Sequence, residues 1–284
     1  MNNTESTPTK RRFPDELLPR GQRLAMRVEY DGTAFCGWQA QPQLPRVATV
    51  QEELEAAMSR IAASQVRVHC AGRTDTGVHA TAQWVHFDAP VARSLKSWVL
   101  GTNAQMEKSV RVADVVPVEQ NFHARHSAIA RRYTYLIANT VSEPALMANR
   151  CLWDREPLCD QRMHAAAQAL LGERDFSAFR AASCQSTSPM RNMHSIDVTR
   201  SGDYLQIRVQ ANAFLHHMVR NIVGSLLEIG RGRKPEHWMS ELMIEGDRKK
   251  ASATAPPQGL YLTCVVYPPE FALGHAPDLP YLCA

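Results

Sequence analysis

The 284 residues predict an α+β protein rich in antiparallel sheet. Two observations carry that expectation. Short segments of alternating hydrophobicity are joined by tight turns rather than helical crossovers, as in hairpins. Segments with apolar residues at three- and four-residue spacing fall between them as helices, and the second half of the chain repeats the ingredients of the first.

Leu24, Met26, Val28 and Tyr30 alternate with polar neighbours as a half-buried strand, and Asp31-Gly32 turns the chain after it. Thr49 and Glu52 have capping-box spacing ahead of Val50, Leu54, Met58 and Ile61, which recur at helical spacing. Val66 and Val68 begin a second strand and Val85 and Phe87 sit in a third. The stretches 110–118 and 133–138 are two more. In the second half, Asp160 caps a helix carrying Met163, Ala167, Leu170 and Leu171, which stops at Gly172. Ile196 and Val198 pair with Leu205, Ile207 and Val209 across Ser201-Gly202-Asp203 as a hairpin. A longer amphipathic helix is expected over 214–229, a shorter one over 238–244 and a closing strand over 260–266. The stretch 139–157 has two prolines and no clear periodicity, as a connection between the halves would.

Composition narrows the class. Hydrophobic residues at 44% and charged residues at 21% allow a packed core. A net charge of +4 permits an anionic partner without requiring one. Seven cysteines, an odd count without C-x-x-C spacing, argue against a disulfide framework or structural zinc and suit a reducing, cytoplasmic setting. The N-terminal stretch is polar, with Lys10, Arg11 and Arg12, and lacks the apolar region of a secretory signal. No stretch is long and apolar enough to span a bilayer, so no membrane partner is expected.

The most informative stretch is 70–80, Cys-Ala-Gly-Arg-Thr-Asp-Thr-Gly-Val-His-Ala. Glycines at 72 and 77 allow a sharp turn and close approach to a ligand. Asp75 lies between them, with Arg73 two residues back. A guanidinium favours the ionised form that a nucleophilic carboxylate needs, and its planar donors also suit phosphate. An Asp that only caps the turn and pairs with Arg has the same composition. The triplet Asp75-Thr76-Gly77 also occurs in aspartic proteases, but those share a proton between two carboxylates, and the chain has no second such triplet.

Beyond that loop, Glu29-Tyr30-Asp31-Gly32-Thr33 with Gly37-Trp38-Gln39, and Phe122-His123-Ala124-Arg125 followed by Ser127-Ala128 and Arg131-Arg132-Tyr133-Thr134-Tyr135, form two further ordered motifs. So do Asn212 to Asn221 and Gly259-Leu260-Tyr261-Leu262. Together with Gly72-Arg73-Thr74-Asp75 and Gly77-Val78-His79-Ala80 they resemble the TruA-type tRNA pseudouridine synthase family, from about residue 23 to about 268. Two departures are local: Thr76 stands where Ala is frequent, and Asn103 is not followed by Leu-Pro.

The resemblance implies two similar α/β halves whose largely antiparallel sheets join into one central sheet, with helices packed on it and a catalytic cleft between the halves. The expected organisation is a disordered basic tail over 1–22, a half over 23–140 carrying the Asp loop, a second half over 141–270 and a tail over 271–284. It implies an isomerase that converts uridine to pseudouridine at positions 38, 39 and 40 of the tRNA anticodon arm. Asp75 is the nucleophile in that reading, acting at C1′ or C6 or by a glycal route. No cofactor or metal is expected, because the reaction has no redox step.

By the same resemblance Tyr133 packs on the target base, Arg220 pairs with Asp75, and Arg73 helps extrude the base. Phe122, His123, Ala124, Arg125 and His126 touch RNA, as do Ser183, Cys184, Gln185, Ser186 and Thr187. The family works as homodimers. Charge alone supports the first RNA stretch, since Arg125, Arg131 and Arg132 cluster with His123 and His126 without an acid. His216 and His217 are adjacent and expected on a helix, where they point apart and serve packing or RNA contact rather than a metal. The alternative is a tRNA-binding or folding protein on the same scaffold, which needs no catalytic role for Asp75.

Overall fold

The computed structural model describes residues 13–41, 43, 48–273 and 279. Of the expected tails over 1–22 and 271–284, residues 1–12, 274–278 and 280–284 lie outside the described residues.

In chain order, the first half contributes β1 (Leu17–Leu18), β2 (Arg23–Tyr30), α1 (Val50–Ala62), β3 (His69–Cys70), β4 (His79–Asp88) and β5 (Arg93–Ser94). A π-helical turn over Ser97–Gly101 runs into α2 (Thr102–Gln105), and β6 (Val110–Pro117) follows. Then come β7 (Ala130–Ala138), β8 (Leu152–Trp153), α3 (Asp160–Ala167), β9 (Gly172–Asp175), β10 (Met190–Ser201) and β11 (Tyr204–Ala211). The chain closes with α4 (Met218–Gly230), α5 (Trp238–Glu245) and β12 (Leu260–Val266).

One ten-stranded sheet runs β6-β2-β4-β12-β7-β11-β10-β9, with β3 added on β4 and β8 on β7. The pairings are antiparallel except β12 with β4 and β7 with β8. Alternation explains β2, whose Leu24, Met26, Val28 and Tyr30 are buried. The β10–β11 hairpin has the expected register, with Ile196 opposite Val209 and Val198 opposite Ile207. Both faces of β7 are covered. Tyr133, Tyr135 and Ile137 join the main core, and Leu136 and Ala138 join a smaller cluster with Met147 and Tyr261. Helix α1 starts at its Thr49 cap, whose hydroxyl oxygen accepts from the Glu52 N–H, and packs with α2 near β6. Helix α3 packs on β10, α4 and α5.

The parallel β4–β12 pair joins His79 and Ala80 of the expected first half to Tyr261 and Leu262 of the expected second. The loop expected to hold the site leads directly into β4. Strand β7, inside the expected 23–140 half, hydrogen-bonds to β12 and β11 of the second.

Four expectations are corrected. Helix α4 starts at Met218, not near 214, because His217 takes a left-handed backbone (φ 59°) that no helix continues. Val66 and Val68 precede β3 rather than form it; the Val66 N–H donates to the Ser59 hydroxyl and the Val68 N–H to Glu55 Oε1, so side chains take the place of a ladder. Cys159, not Asp160, is the residue before α3; Asp160 is in its first turn, where a carboxylate suits the helix dipole. Within the basic tail, Leu17 and Leu18 pair with Ser94 and Arg93 as a two-stranded ladder.

Candidate active site

The loop between β3 and β4 is pinned along its backbone. The Ala71 N–H donates to the Trp84 carbonyl (2.8 Å), Gln83 Nε2 to the Gly72 carbonyl (2.5 Å) and Arg131 Nη2 to the Ala71 carbonyl (3.0 Å). Tyr30 Oη lies 2.8 Å from Thr74 Oγ1. The Trp38 N–H donates to the Thr74 carbonyl (3.0 Å) and the Gly77 N–H to the Phe35 carbonyl (3.3 Å). The Tyr30-to-Gln39 segment is thus a brace for this loop. Gly37 makes the brace possible: its φ is +85°, and a Cβ there would lie 2.7 Å from the Thr74 carbonyl oxygen and 3.1 Å from the Asp75 carbonyl carbon. Gly77, φ +76°, reverses the chain beyond Asp75.

Asp75 thereby projects from a fixed backbone with its side chain 26% exposed. Its neighbours come from the second half. Arg220 on α4, its side chain 13% exposed, places Nη1 3.5 Å from Asp75 Oδ2. The same guanidinium donates from Nε to the Ala255 carbonyl (2.7 Å), which fixes it to the segment before β12. The sequence expects a guanidinium from Arg73 as well as Arg220 beside the carboxylate. Arg73 is exposed, and the ion-pair partner is Arg220.

His216 Nε2 lies 3.4 Å from Asp75 Oδ1 and His217 Nε2 3.4 Å from Oδ2, the two rings 3.9 Å apart by centroid. This overturns the expectation that adjacent histidines point apart. Both precede the helix, and the left-handed residue at 217 swings its ring onto the carboxylate, at a cost of about 1–2 kcal/mol in backbone energy. His216 is also tied to Ser183, whose hydroxyl lies 3.0 Å from its Nδ1, and its N–H donates to Cys184 Sγ. Burial lowers the His217 pKa, Asp75 works against it, and His216, Arg220 and Arg248 lower it further. That shift favours the neutral ring.

Tyr133 on β7 is buried, edge-on to Phe214 at 5.1 Å, with its hydroxyl close above Gly72. Burial, and then the charge of Asp75, raise its pKa above the ordinary phenol range. Phenol, carboxylate, guanidinium and two imidazoles thus share one locus.

The expected RNA stretches divide. Phe122 and Ala124 are fully buried: Phe122 packs against His86, Tyr267 and Phe271, and the Ala124 carbonyl accepts from Tyr267 Oη at 2.7 Å. Their side chains pack in the core and do not face solvent. His123 is half-buried, and Arg125 and His126 are exposed. Ser183, Gln185 and Thr187 are exposed and Cys184 and Ser186 half-buried, in a loop held by Arg180 through the Cys184 and Ser186 carbonyls.

Ligand atoms of Asp75, His216 and His217 lie within 4.8 Å of one another, close enough to meet on a cation. The Arg220 guanidinium at the same carboxylate opposes that, so the trio reads as an electrostatic cluster rather than a metal centre. Sequence reading missed both histidines as partners of Asp75. Helical periodicity placed them on a helix, and nothing in the pattern marks the break at 217.

A family model described as tRNA pseudouridine synthase matches residues 26–127 and 166–268. A relative named tRNA pseudouridine synthase A from Shewanella denitrificans is 51% identical over 251 residues, 88% of this chain and 95% of its own. One of the same name from Escherichia fergusonii is 48% identical over 270 residues, 95% of this chain and 99% of its own. A solved structure titled as a Cbf5-Nop10-Gar1 complex aligns with 84% of this chain and 58% of its own, at 11% identity and a TM-score of 0.33, too low to carry an argument.

Proposed function

The chain belongs to the tRNA pseudouridine synthase family, an isomerase that makes pseudouridine in tRNA, and on that premise we propose that Asp75 is its nucleophile, acting on uridines 38, 39 and 40 of the anticodon arm. The observation that supports the nucleophile is convergence. One carboxylate, held on a braced loop of the first half, is met by Arg220, His216 and His217 of the second. A guanidinium at 3.5 Å complements a negatively charged carboxylate and leaves it free to attack.

The target base must leave its stack before the carboxylate reaches the ribose or ring, at a cost of a few kcal/mol. Tyr133, with Phe214 fixing its edge, offers the face on which the base rests. Arg73, exposed beside Asp75, takes the phosphate of the extruded nucleotide. His123, Arg125 and His126 on one side and the 183–187 loop on the other extend contact along the arm. Opening C1′ to a carboxylate has the oxocarbenium character seen in retaining glycosidases, and the uracil is held, not released, so that C5 can rebond. Two copies of the chain form the tRNA cleft, in the cytoplasm; sedimentation at micromolar concentration tests the dimer. Among the described residues no helix is long and apolar enough to cross a membrane.

The decisive experiment is Asp75→Asn with an unmodified tRNA transcript and pseudouridine mapped by position. The expected result is loss of pseudouridine at 38–40 with tRNA affinity kept within about tenfold, ~1.4 kcal/mol. Retained activity, or modification confined to other positions, overturns the assignment.

A further inference from the structure

Every route from uridine to pseudouridine ends on the same proton balance. The N1–C1′ bond breaks, the C5–C1′ bond forms, and C5 then carries both the ribose and its original hydrogen. Conjugation returns only when the C5 proton leaves and N1 gains one. The site therefore needs a proton acceptor, whatever Asp75 does first.

We infer that His217 accepts the C5 proton, its Nε2 being held beside the carboxylate by a left-handed backbone at the entrance to α4. The inference rests on the role proposed for Asp75. After rebonding, C5 is one covalent bond from C1′, the atom that a ribose-directed carboxylate has just left. His217 Nε2 lies 3.4 Å from Asp75 Oδ2 and so stands at the edge of that bond exchange. A non-glycine residue at positive φ at such a site marks a side chain placed there against backbone preference.

The protonation states agree. The charged and titratable groups around His217 are Asp75 from the braced loop, His216 from its own segment, Arg220 from α4 and Arg248 from the segment after α5. Burial, with His216 and the two arginines, acts against Asp75 to favour the neutral ring, and its Nδ1–H tautomer leaves the lone pair on Nε2. Tyr133, the other nearby candidate, is a buried phenol pushed up by desolvation and by Asp75, a poor acceptor near neutral pH. His216 is tied through Nδ1 to Ser183 and serves as a positioning residue for Asp75.

The step balances. Neutral Nε2 takes the C5 proton, the C5–H electron pair becomes the C5=C6 bond, and the N1=C6 pair moves to N1. N1 takes a proton, the imidazolium gives one up through solvent, and Asp75 ends as the carboxylate it began as.

The test uses the full chain and tRNA transcript carrying tritium, or deuterium, at uridine C5. His217→Asn and His217→Gly both tolerate the left-handed backbone and both lack a base. Tritium release is expected to fall about 10²–10³-fold in each, with tRNA binding within twofold of wild type. A C5 deuterium isotope effect should appear in the variants, and added imidazole should restore release in His217→Gly. The rate of the wild type should fall as pH drops through the lowered His217 pKa, and that limb should vanish in His217→Asn. His216→Asn is expected to slow turnover without a C5 isotope effect. Tritium release within threefold of wild type, or slowed variants with neither isotope effect nor rescue, overturns the inference. The two readings fail separately. Loss of activity in Asp75→Asn with normal release in His217→Asn removes only His217, whereas retained activity in Asp75→Asn removes the nucleophile beneath it.

Discussion

The loop at 71–79 and the loop at 122–127 both carry motifs with charged or imidazole side chains, and the fold uses them in opposite ways. In the first, the backbone is the buried part: hydrogen bonds to Trp84, Gln83, Arg131 and Trp38 hold it while Asp75 and Arg73 face outward. In the second, Phe122 and Ala124 are in the core, the His86 ring accepts the Ala124 N–H at 3.1 Å, and only Arg125 and His126 are freely exposed. A motif therefore mixes residues that act with residues that hold the actors, and in these two loops burial tells them apart.

The sharpest way to break this contrast is Phe122→Ala. Removing a fully buried ring that touches His86, Tyr267 and Phe271 should cost about 3–5 kcal/mol of stability, read by denaturant unfolding. A change under 1 kcal/mol would mean that the ring is not scaffold.

Next in size is an acid effect at His86. Burial, and then the neighbouring His123 and His69, depress its pKa from 6.5 to about 4, and its Nδ1 must stay unprotonated to accept the Ala124 N–H. The folded state resists a proton that the unfolded chain takes up below about pH 6.5, so stability should fall as pH drops from there toward 4, by on the order of 2–3 kcal/mol. His86→Gln should flatten that slope; an unchanged slope would locate the acid lability elsewhere.

For the first loop, Gly37→Ala sharpens the comparison. The new Cβ meets the Thr74 carbonyl at 2.7 Å and the residue is strained at φ +85°. About 1–2 kcal/mol of stability should be lost, and turnover should drop more than that loss explains, because the displaced backbone carries Asp75. Normal turnover would show that the brace is dispensable. The smallest effect belongs to Arg125→Ala: stability within about 0.5 kcal/mol, with the salt slope of tRNA binding reduced by about 1. An unchanged slope would remove Arg125 from the interface.

Much was legible in advance. Periodicity located β2, α1 and the β10–β11 hairpin, whose buried positions repeat a period, whereas β12 is a short apolar run buried on both faces. The ordered motifs pointed to the family, and Asp75, Tyr133 and Arg220 do gather at one locus. The histidines at 216 and 217 were misread because apolar spacing runs on through Leu215 and Met218, and one left-handed residue leaves no trace in it. The burial of Phe122 was not legible, because an aromatic beside basic residues looks the same in sequence whether its face is open or packed.

The sequence by itself determined the local order: where strands and helices form, which glycines bend the loop, and which carboxylate lies at its tip, because these depend on neighbours a few residues apart. Only the tertiary structure decided which groups meet that carboxylate. Arg220 is 145 positions from Asp75, and the parallel pairing of β4 with β12 brings their halves together. Distance in space and exclusion of water set what a charge or a ring can do, and neither is a property of adjacent residues.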